Sequence, residues 1–148
     1  MSIRILLADD HTIVLQGLSR FLREQPDLEV VGQAKDGPTT VELARDLTPD
    51  VIIMDISMPG LTGVEATRRI HSEKPDIRII SLSMHASKRY VQEMYRAGAS
   101  GYLLKDCDFD DLIAAIHVVA AGGTYFAGEF AGIVAREASQ SPAAPEGR

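Results

Sequence analysis

Apolar residues fall into two alternating patterns along this chain. Ile3–Ala8, Asp50–Met54, Ile77–Leu82 and Gly101–Leu104 are short, nearly unbroken apolar runs, the pattern of strands buried on both faces of a parallel sheet. Glu29–Ala34 alternates instead, which predicts an edge strand. Between these runs the spacing turns helical. Val14, Leu18, Phe21 and Leu22 share one face, as do Leu43 and Leu47, then Val64, Thr67 and Ile70. Val91, Met94 and Tyr95, and finally Phe109, Leu112, Ile116 and Val119, repeat the i, i+3, i+4 rule. Pro26, Pro49 and Pro75 each stop a helix just before a strand. Five βα units therefore close near Ala121. Right-handed crossovers make them a doubly wound α/β fold, (βα)5, with a five-stranded parallel sheet.

After Gly122-Gly123 the texture changes, and 15 of residues 122–148 are Gly, Ala, Ser or Pro. Residues 1–123 thus read as one domain and 124–148 as a linker. A short helix is expected over Glu129–Ala138, with Phe130, Ile133 and Val134 as its apolar stripe, and disorder from Ser139 onward. At 148 residues and a net charge of −6, one ordinary acidic domain is the bounded answer. Charge is not segregated, since residues 1–121 hold 13 basic and 18 acidic side chains. That balance argues against nucleic-acid binding by this chain itself. No apolar run approaches the roughly 18 residues that cross a bilayer, and the first residues carry no signal-peptide pattern. The lone Cys107 has no internal disulfide partner, so a reducing cytoplasm is expected.

The chemistry lies at the ends of the apolar runs. Asp9 and Asp10 follow the first, Asp55 the third, Ser83 the fourth and Lys105 the fifth. In a doubly wound sheet the carboxyl ends of the strands share one rim, where ligands bind. Three acids there invite a divalent metal, and a hydroxyl with an ammonium suits an anion beside it. Such a rim is a phosphoryl-accepting site. Asp55, held at a strand end, is the expected nucleophile, forming an aspartyl phosphate. Asp9 and Asp10 supply the metal; as neighbours they point in different directions, so one of them is expected to ligate directly. Lys105 would neutralise charge on the phosphoryl group and Ser83 would donate to it.

Leu-Leu-Ala-Asp-Asp-His, Ile-Met-Asp-Ile-Ser-Met-Pro-Gly-Leu-Thr-Gly, Ser-Leu-Ser-Met-His and Gly-Tyr-Leu-Leu-Lys-Asp resemble the signature segments of bacterial response-regulator receiver domains. The resemblance spans residues 1–121, in order and in register. It implies the flavodoxin-like strand order 2-1-3-4-5 and phosphorylation of Asp55 by a sensor histidine kinase. It also implies Mg²⁺ (or Mn²⁺) held by Asp10, Asp55 and the backbone carbonyl of Ser57, with Asp9 acting through water. Ser83 and Lys105 would hold the phosphoryl oxygens, and Tyr102 occupies the family's aromatic switch position. On phosphorylation Ser83 would be drawn to the new oxygens, Tyr102 would turn inward, and the face of helix 4, strand 5 and helix 5 would change.

Ala-Gly-Ala-Ser-Gly-Tyr-Leu-Leu-Lys-Asp and Ala-Ala-Gly-Gly-Thr-Tyr-Phe are similar to the NarL/FixJ (LuxR-type) branch. There a linker helix leads to a helix-turn-helix domain that binds DNA. The expectation is a receiver preceding such a domain, controlling transcription through it and pairing into a homodimer when phosphorylated, with no membrane partner. Two positions depart from the common pattern. Ser83 stands where Thr is commoner, which implies a looser switch, and Asp106 stands where many receivers have Pro.

Taken singly, each residue has an ordinary reading. Asp9-Asp10 is a solvated turn, Asp55 a helix N-cap, Lys105 a surface charge, Ser83 a turn hydroxyl and Tyr102 a half-buried strand tyrosine. Only their joint placement speaks for a site. Met58-Pro59-Gly60 and Gly63 read as backbone devices shaping the loop beside it. His11, His71, His85 and His117 lack zinc spacing; His11 and His85 fall near the rim, and surface or packing roles are expected. Cys107 reads as inert at the start of the fifth helix. Other functions fit the sequence less well. A phosphohydrolase of the haloacid-dehalogenase type would carry an acid two residues after the nucleophile, where this chain has Ser57. A stand-alone receiver or a phosphorylation-independent pseudo-receiver acting through protein contacts is the alternative, although pseudo-receivers typically lose an acid or the lysine. Nucleotide binding lacks both glycine-rich signatures.

Overall fold

The computed structural model describes residues 2–84, 86–126 and 128–140. Its elements in chain order are β1 (Ile3–Ala8), α1 (Thr12–Arg23), β2 (Leu28–Ala34), α2 (Gly37–Leu47), β3 (Val51–Asp55) and α3 (Gly63–Glu73). There follow β4 (Arg78–Ser83), α4 (Lys88–Ala97), β5 (Gly101–Leu104), α5 (Phe109–Ala120), β6 (Tyr125–Phe126) and α6 (Glu129–Gln140). All strand pairs are parallel, in the order β2-β1-β3-β4-β5-β6. The expected order is present, and β2 is the edge strand. A sixth strand is added at the other edge, where Gly101 and Tyr102 pair with Tyr125 and Phe126.

Successive strand residues feed opposite faces, and each face has its own core. Leu6, Ile52, Met54 and Ile79 pack with α2, α3 and α4. Ile5, Leu7, Ile53 and Ile80 pack with Leu15 and Leu22 of α1 and with Leu112, Ile116 and Val119 of α5. Side chains cap three helices: Asp36 accepts from the Thr39 amide, Thr62 from Glu65 and Ser87 from Tyr90. Helix α4 ends at Gly98, whose φ of 111° suits glycine. The His71 ring lies over it, so a Cβ there would meet Cγ of that ring at 2.4 Å.

Three expectations about packing change. Helix α2 buries Thr40, Val41 and Ala44, while Leu43 and Leu47 are half-buried. Those leucines lie over Gly32 of the edge strand, where one flank stays open to water. Phe109, in the first turn of α5, stacks on Phe21 with ring centroids 4.0 Å apart and stays half exposed. Helix α6 continues through Ser139 and Gln140, where disorder was expected; the remainder of that stretch, residues 141–148, lies outside the described residues. The apolar stripe of α6 packs on the receiver core, with Phe130 buried and Ile133 and Val134 against it.

Candidate functional site

Each residue singled out at a strand end stands at the carboxyl rim. Asp55 is the last residue of β3 and Ser83 the last of β4. Asp9 follows β1, with its amide donating to the Ala34 carbonyl at 3.0 Å. Lys105 follows β5, and its amide donates to the Ser83 carbonyl at 2.8 Å. Backbone ladders thus fix the points from which these side chains project. Asp9 and Asp55 are almost fully buried, at 3% and 4% exposure. The Lys105 ammonium lies 2.8 Å from Asp9 Oδ2 and 3.6 Å from Asp55 Oδ2.

The β3–α3 loop is pressed against the same rim. The Ser57 amide donates to Asp55 Oδ1 at 3.2 Å, and the Gly63 amide donates to the Ile56 carbonyl at 2.9 Å. A Cβ at residue 63 would sit 2.5 Å from the Asp55 carbonyl oxygen. Only glycine lets α3 begin this close to the strand that carries Asp55.

The acids are unequally satisfied. Asp9 Oδ1 accepts from the His11 amide and from His11 Nδ1, each at 2.9 Å, while its Oδ2 faces Lys105. His11 Nδ1 also lies 3.1 Å from Asp10 Oδ1. Among the described residues, Asp10 Oδ1 and Asp55 Oδ2 are buried without a hydrogen-bond partner. Burial pushes the Asp55 carboxyl above its ordinary value, Asp9 and Asp10 add to that rise, and the Ser57 amide and Lys105 oppose it.

Ligand atoms of Asp9, Asp10, His11 and Asp55 all lie within 4.8 Å of one another. Open carboxylate oxygens in a net-anionic cluster fit a hard divalent cation, which takes oxygen ligands. This acidic cluster could hold a metal.

Tyr102 is fully buried, and burial pushes its hydroxyl above the ordinary value while Ser83 opposes that rise. Its ring already points inward, where the sequence reading had it turn on phosphorylation. Cys107 precedes α5 and is half-buried; burial and then the nearby Asp111, Asp106 and Asp108 push its thiol up, which disfavours the reactive thiolate. His85 lies outside the described residues. Sequence reasoning missed the contacts of His11, because a histidine after two acids carries no periodic signal. It also missed Glu137, which is buried on the apolar side of α6 and joined to Arg96.

Comparison with known proteins gives consistent matches. The response regulator receiver domain family matches residues 5–117. The transcriptional regulatory protein DegU of Brevibacillus brevis is 47% identical over 123 residues, which make up 83% of this chain and 52% of that protein. MctR of Rhizobium johnstonii, also a transcriptional regulatory protein, is 44% identical over 124 residues, 84% of this chain and 58% of that one. This chain therefore spans little more than half the length of these curated relatives. Among solved structures, a LuxR-family two-component response regulator from Aurantimonas sp. superimposes with a TM-score of 0.85 at 36% identity, covering 94% of this chain and 99% of that one. The receiver domain of the putative response regulator NarL from Mycobacterium tuberculosis gives a TM-score of 0.79 at 31% identity, over 82% and 98%. No helix among the described residues is long and apolar enough to cross a membrane.

Proposed function

The chain belongs to the response regulator receiver domain family, with LuxR- and NarL-type regulators as its relatives, and from that membership we propose that Asp55 is its phosphoacceptor. A sensor histidine kinase is the donor. In the transfer, Asp55 Oδ2 forms a bond to phosphorus as the P–N bond of a phosphohistidine breaks, and the departing nitrogen keeps the electron pair. The observation that carries this reading is the buried, unpartnered Asp55 Oδ2 beside the Lys105 ammonium.

The division of labour among the acids follows from their partners. Both oxygens of Asp9 are engaged, by His11 and by Lys105, so Asp9 acts on a metal through water. Asp10 keeps an open oxygen, and it would be a direct ligand together with the Asp55 carboxylate oxygen that does not attack phosphorus and the Ser57 backbone carbonyl. Mg²⁺ (or Mn²⁺) bound there would supply the positive charge that keeps Asp55 ionised and offsets charge on the phosphoryl oxygens. Lys105 turns from the carboxylates to those oxygens, and Ser83 donates its hydroxyl to them. Ser83 and Tyr102 form the switch.

We take residues 1–123 as the receiver and 124–148 as a linker toward a helix-turn-helix domain outside this chain. DNA is contacted through that domain, and transcription is its output. The protein is cytoplasmic, pairs into a homodimer when phosphorylated, and signals without being an enzyme in its own right. Intact mass after incubation with Mg²⁺ and acetyl phosphate tests the central step. One phosphoryl adduct on the wild type and none on Asp55→Asn is expected. No adduct on the wild type, under conditions that label a known receiver, overturns the reading in favour of a pseudo-receiver.

A further inference from the structure

Helix α1 begins without a side-chain cap. His11 stands at its N-cap position, but its ring caps nothing, whereas Asp36, Thr62 and Ser87 cap α2, α3 and α4. The ring turns back toward the rim instead, and 61% of the side chain stays exposed, so packing does not explain its place. Its Nδ1 lies 2.9 Å from Asp9 Oδ1 and 3.1 Å from Asp10 Oδ1. Yet among the described residues Asp10 Oδ1 is buried without a hydrogen-bond partner. The nitrogen has come close to that oxygen without satisfying it. Asp55 Oδ2, on a side chain only 4% exposed, is unpartnered in the same cluster.

A nitrogen and oxygens spaced in this way match neighbouring ligands of one cation. Ligands about 2.1 Å from an octahedral ion stand roughly 3.0 Å from their neighbours. The donor atoms of Asp9, Asp10, His11 and Asp55 all fall within 4.8 Å of one another. We propose that His11 Nδ1 is itself a ligand of the rim cation, beside Asp10 and Asp55, and biases the site toward borderline first-row ions over Mg²⁺. The proposal rests on the metal reading above. The neutral ring then carries its hydrogen on Nε2, which leaves the Nδ1 lone pair to bind. Asp9 Oδ1 keeps the His11 amide at 2.9 Å, so its part in the rim survives the change of tautomer. Mg²⁺ favours oxygen ligands and sheds water reluctantly, whereas imidazole suits the later ions of the series that runs from Mn²⁺ to Zn²⁺. A rim of oxygens alone gives those ions no such advantage.

Metal binding by the whole chain, beside His11→Gln, tests this. Pulsed electron paramagnetic resonance of the Mn²⁺-loaded wild type should show coupling to an imidazole nitrogen, and the variant should lack it. Isothermal titration with Mg²⁺ and with Co²⁺ supplies the second readout. The ratio of Co²⁺ to Mg²⁺ affinity should fall at least about tenfold in His11→Gln, a loss that even changes outside the ligand shell can cause. Absence of nitrogen coupling in the wild type, coupling that persists in the variant, or an unchanged ratio overturns His11 as a ligand. In each of those cases the ions still bind, and the metal site of Asp10 and Asp55 stands. Failure of all three ions to bind the wild type overturns the metal site and the proposal together. Neither readout involves phosphorylation, so the phosphoacceptor reading is judged separately, by intact mass.

Discussion

The two ends of the sheet handle charge in opposite ways. At the amino end of the strands Arg4, Asp50, Asp27 and His117 are each matched with a partner. The Arg4 guanidinium donates to the carbonyls of Leu47 and Thr48, at 2.7 and 3.0 Å, where α2 ends. The Arg4 amide donates to Asp50 at 2.8 Å. Asp27, before β2, accepts from His117 near the end of α5 at 2.5 Å. At the carboxyl end three acids crowd around Lys105, and among the described residues two buried carboxylate oxygens, of Asp10 and Asp55, have no hydrogen-bond partner. The first arrangement spends its charges on holding helices to strands. The second leaves affinity unused until a cation and an anion arrive, and that imbalance is the mark of a working site.

The contrast can be broken most severely at Lys105. Lys105→Met leaves Asp9 and Asp55 buried without their cation and should cost about 3 kcal/mol at neutral pH without divalent ions. Urea denaturation should show Mg²⁺ restoring more stability to this variant than it adds to the wild type. A loss indifferent to Mg²⁺ would mean that the rim is as self-contained as the opposite end. Arg4→Met is the counterpart. It should cost about 1.5 kcal/mol, from charged hydrogen bonds lost at a helix terminus, and the same denaturation should find that deficit unchanged by Mg²⁺. A Mg²⁺-dependent deficit would dissolve the distinction.

The smallest effect concerns pH at the amino end. His117 Nδ1 faces the Ile113 carbonyl at 3.0 Å and Nε2 faces Asp27. Both neighbours are acceptors, which favours the imidazolium, the form in which both nitrogens donate. The Asp27 hydrogen bond raises His117 above 6.5, and the His117 hydrogen bond lowers Asp27 below 3.8. The stability from His117 is complete below pH 6.5 and is lost as pH rises through its elevated value. That from Asp27 is complete above pH 3.8 and is lost as pH falls through its depressed value. Thermal midpoints of wild type and Asp27→Asn should therefore differ most near pH 5.5 and converge toward pH 9. Both groups are about half exposed, which keeps the difference small. Equal gaps at the two pH values would show that the pair does not titrate as described.

Much of this arrangement is written in the order of residues. Strand ends converge whatever lies between them, so Asp9, Asp10, Asp55, Ser83 and Lys105 could be gathered onto one rim from hydrophobic patterning alone. What escaped that reasoning did so for physical causes. Strand β6 has two residues, too few to display a period, and exists because Tyr125 and Phe126 meet an open strand edge. Glu137 looks solvent-facing, and only the Arg96 guanidinium from α4, 41 residues earlier, makes its burial tolerable. Phe109 has helical spacing, but its cover is the Phe21 ring of α1, and it stays half exposed. Ser81, between Ile80 and Leu82 of β4, is buried, and among the described residues its hydroxyl has no hydrogen-bond partner.

Strand β6 also bears on where such a domain can be cut. The βα alternation invites a boundary at Ala121, and a chain trimmed there would lose Tyr125, Phe126 and Phe130 together. The backbone groups of Gly101 and Tyr102 that pair with β6 would then face water as a bare strand, a template for the strands of neighbouring molecules. The Tyr102 ring would lose its cover in the same stroke. A receiver trimmed by its repeat pattern would thus acquire a sticky margin that the longer chain conceals, and self-association measured on it would report the scissors rather than the signal.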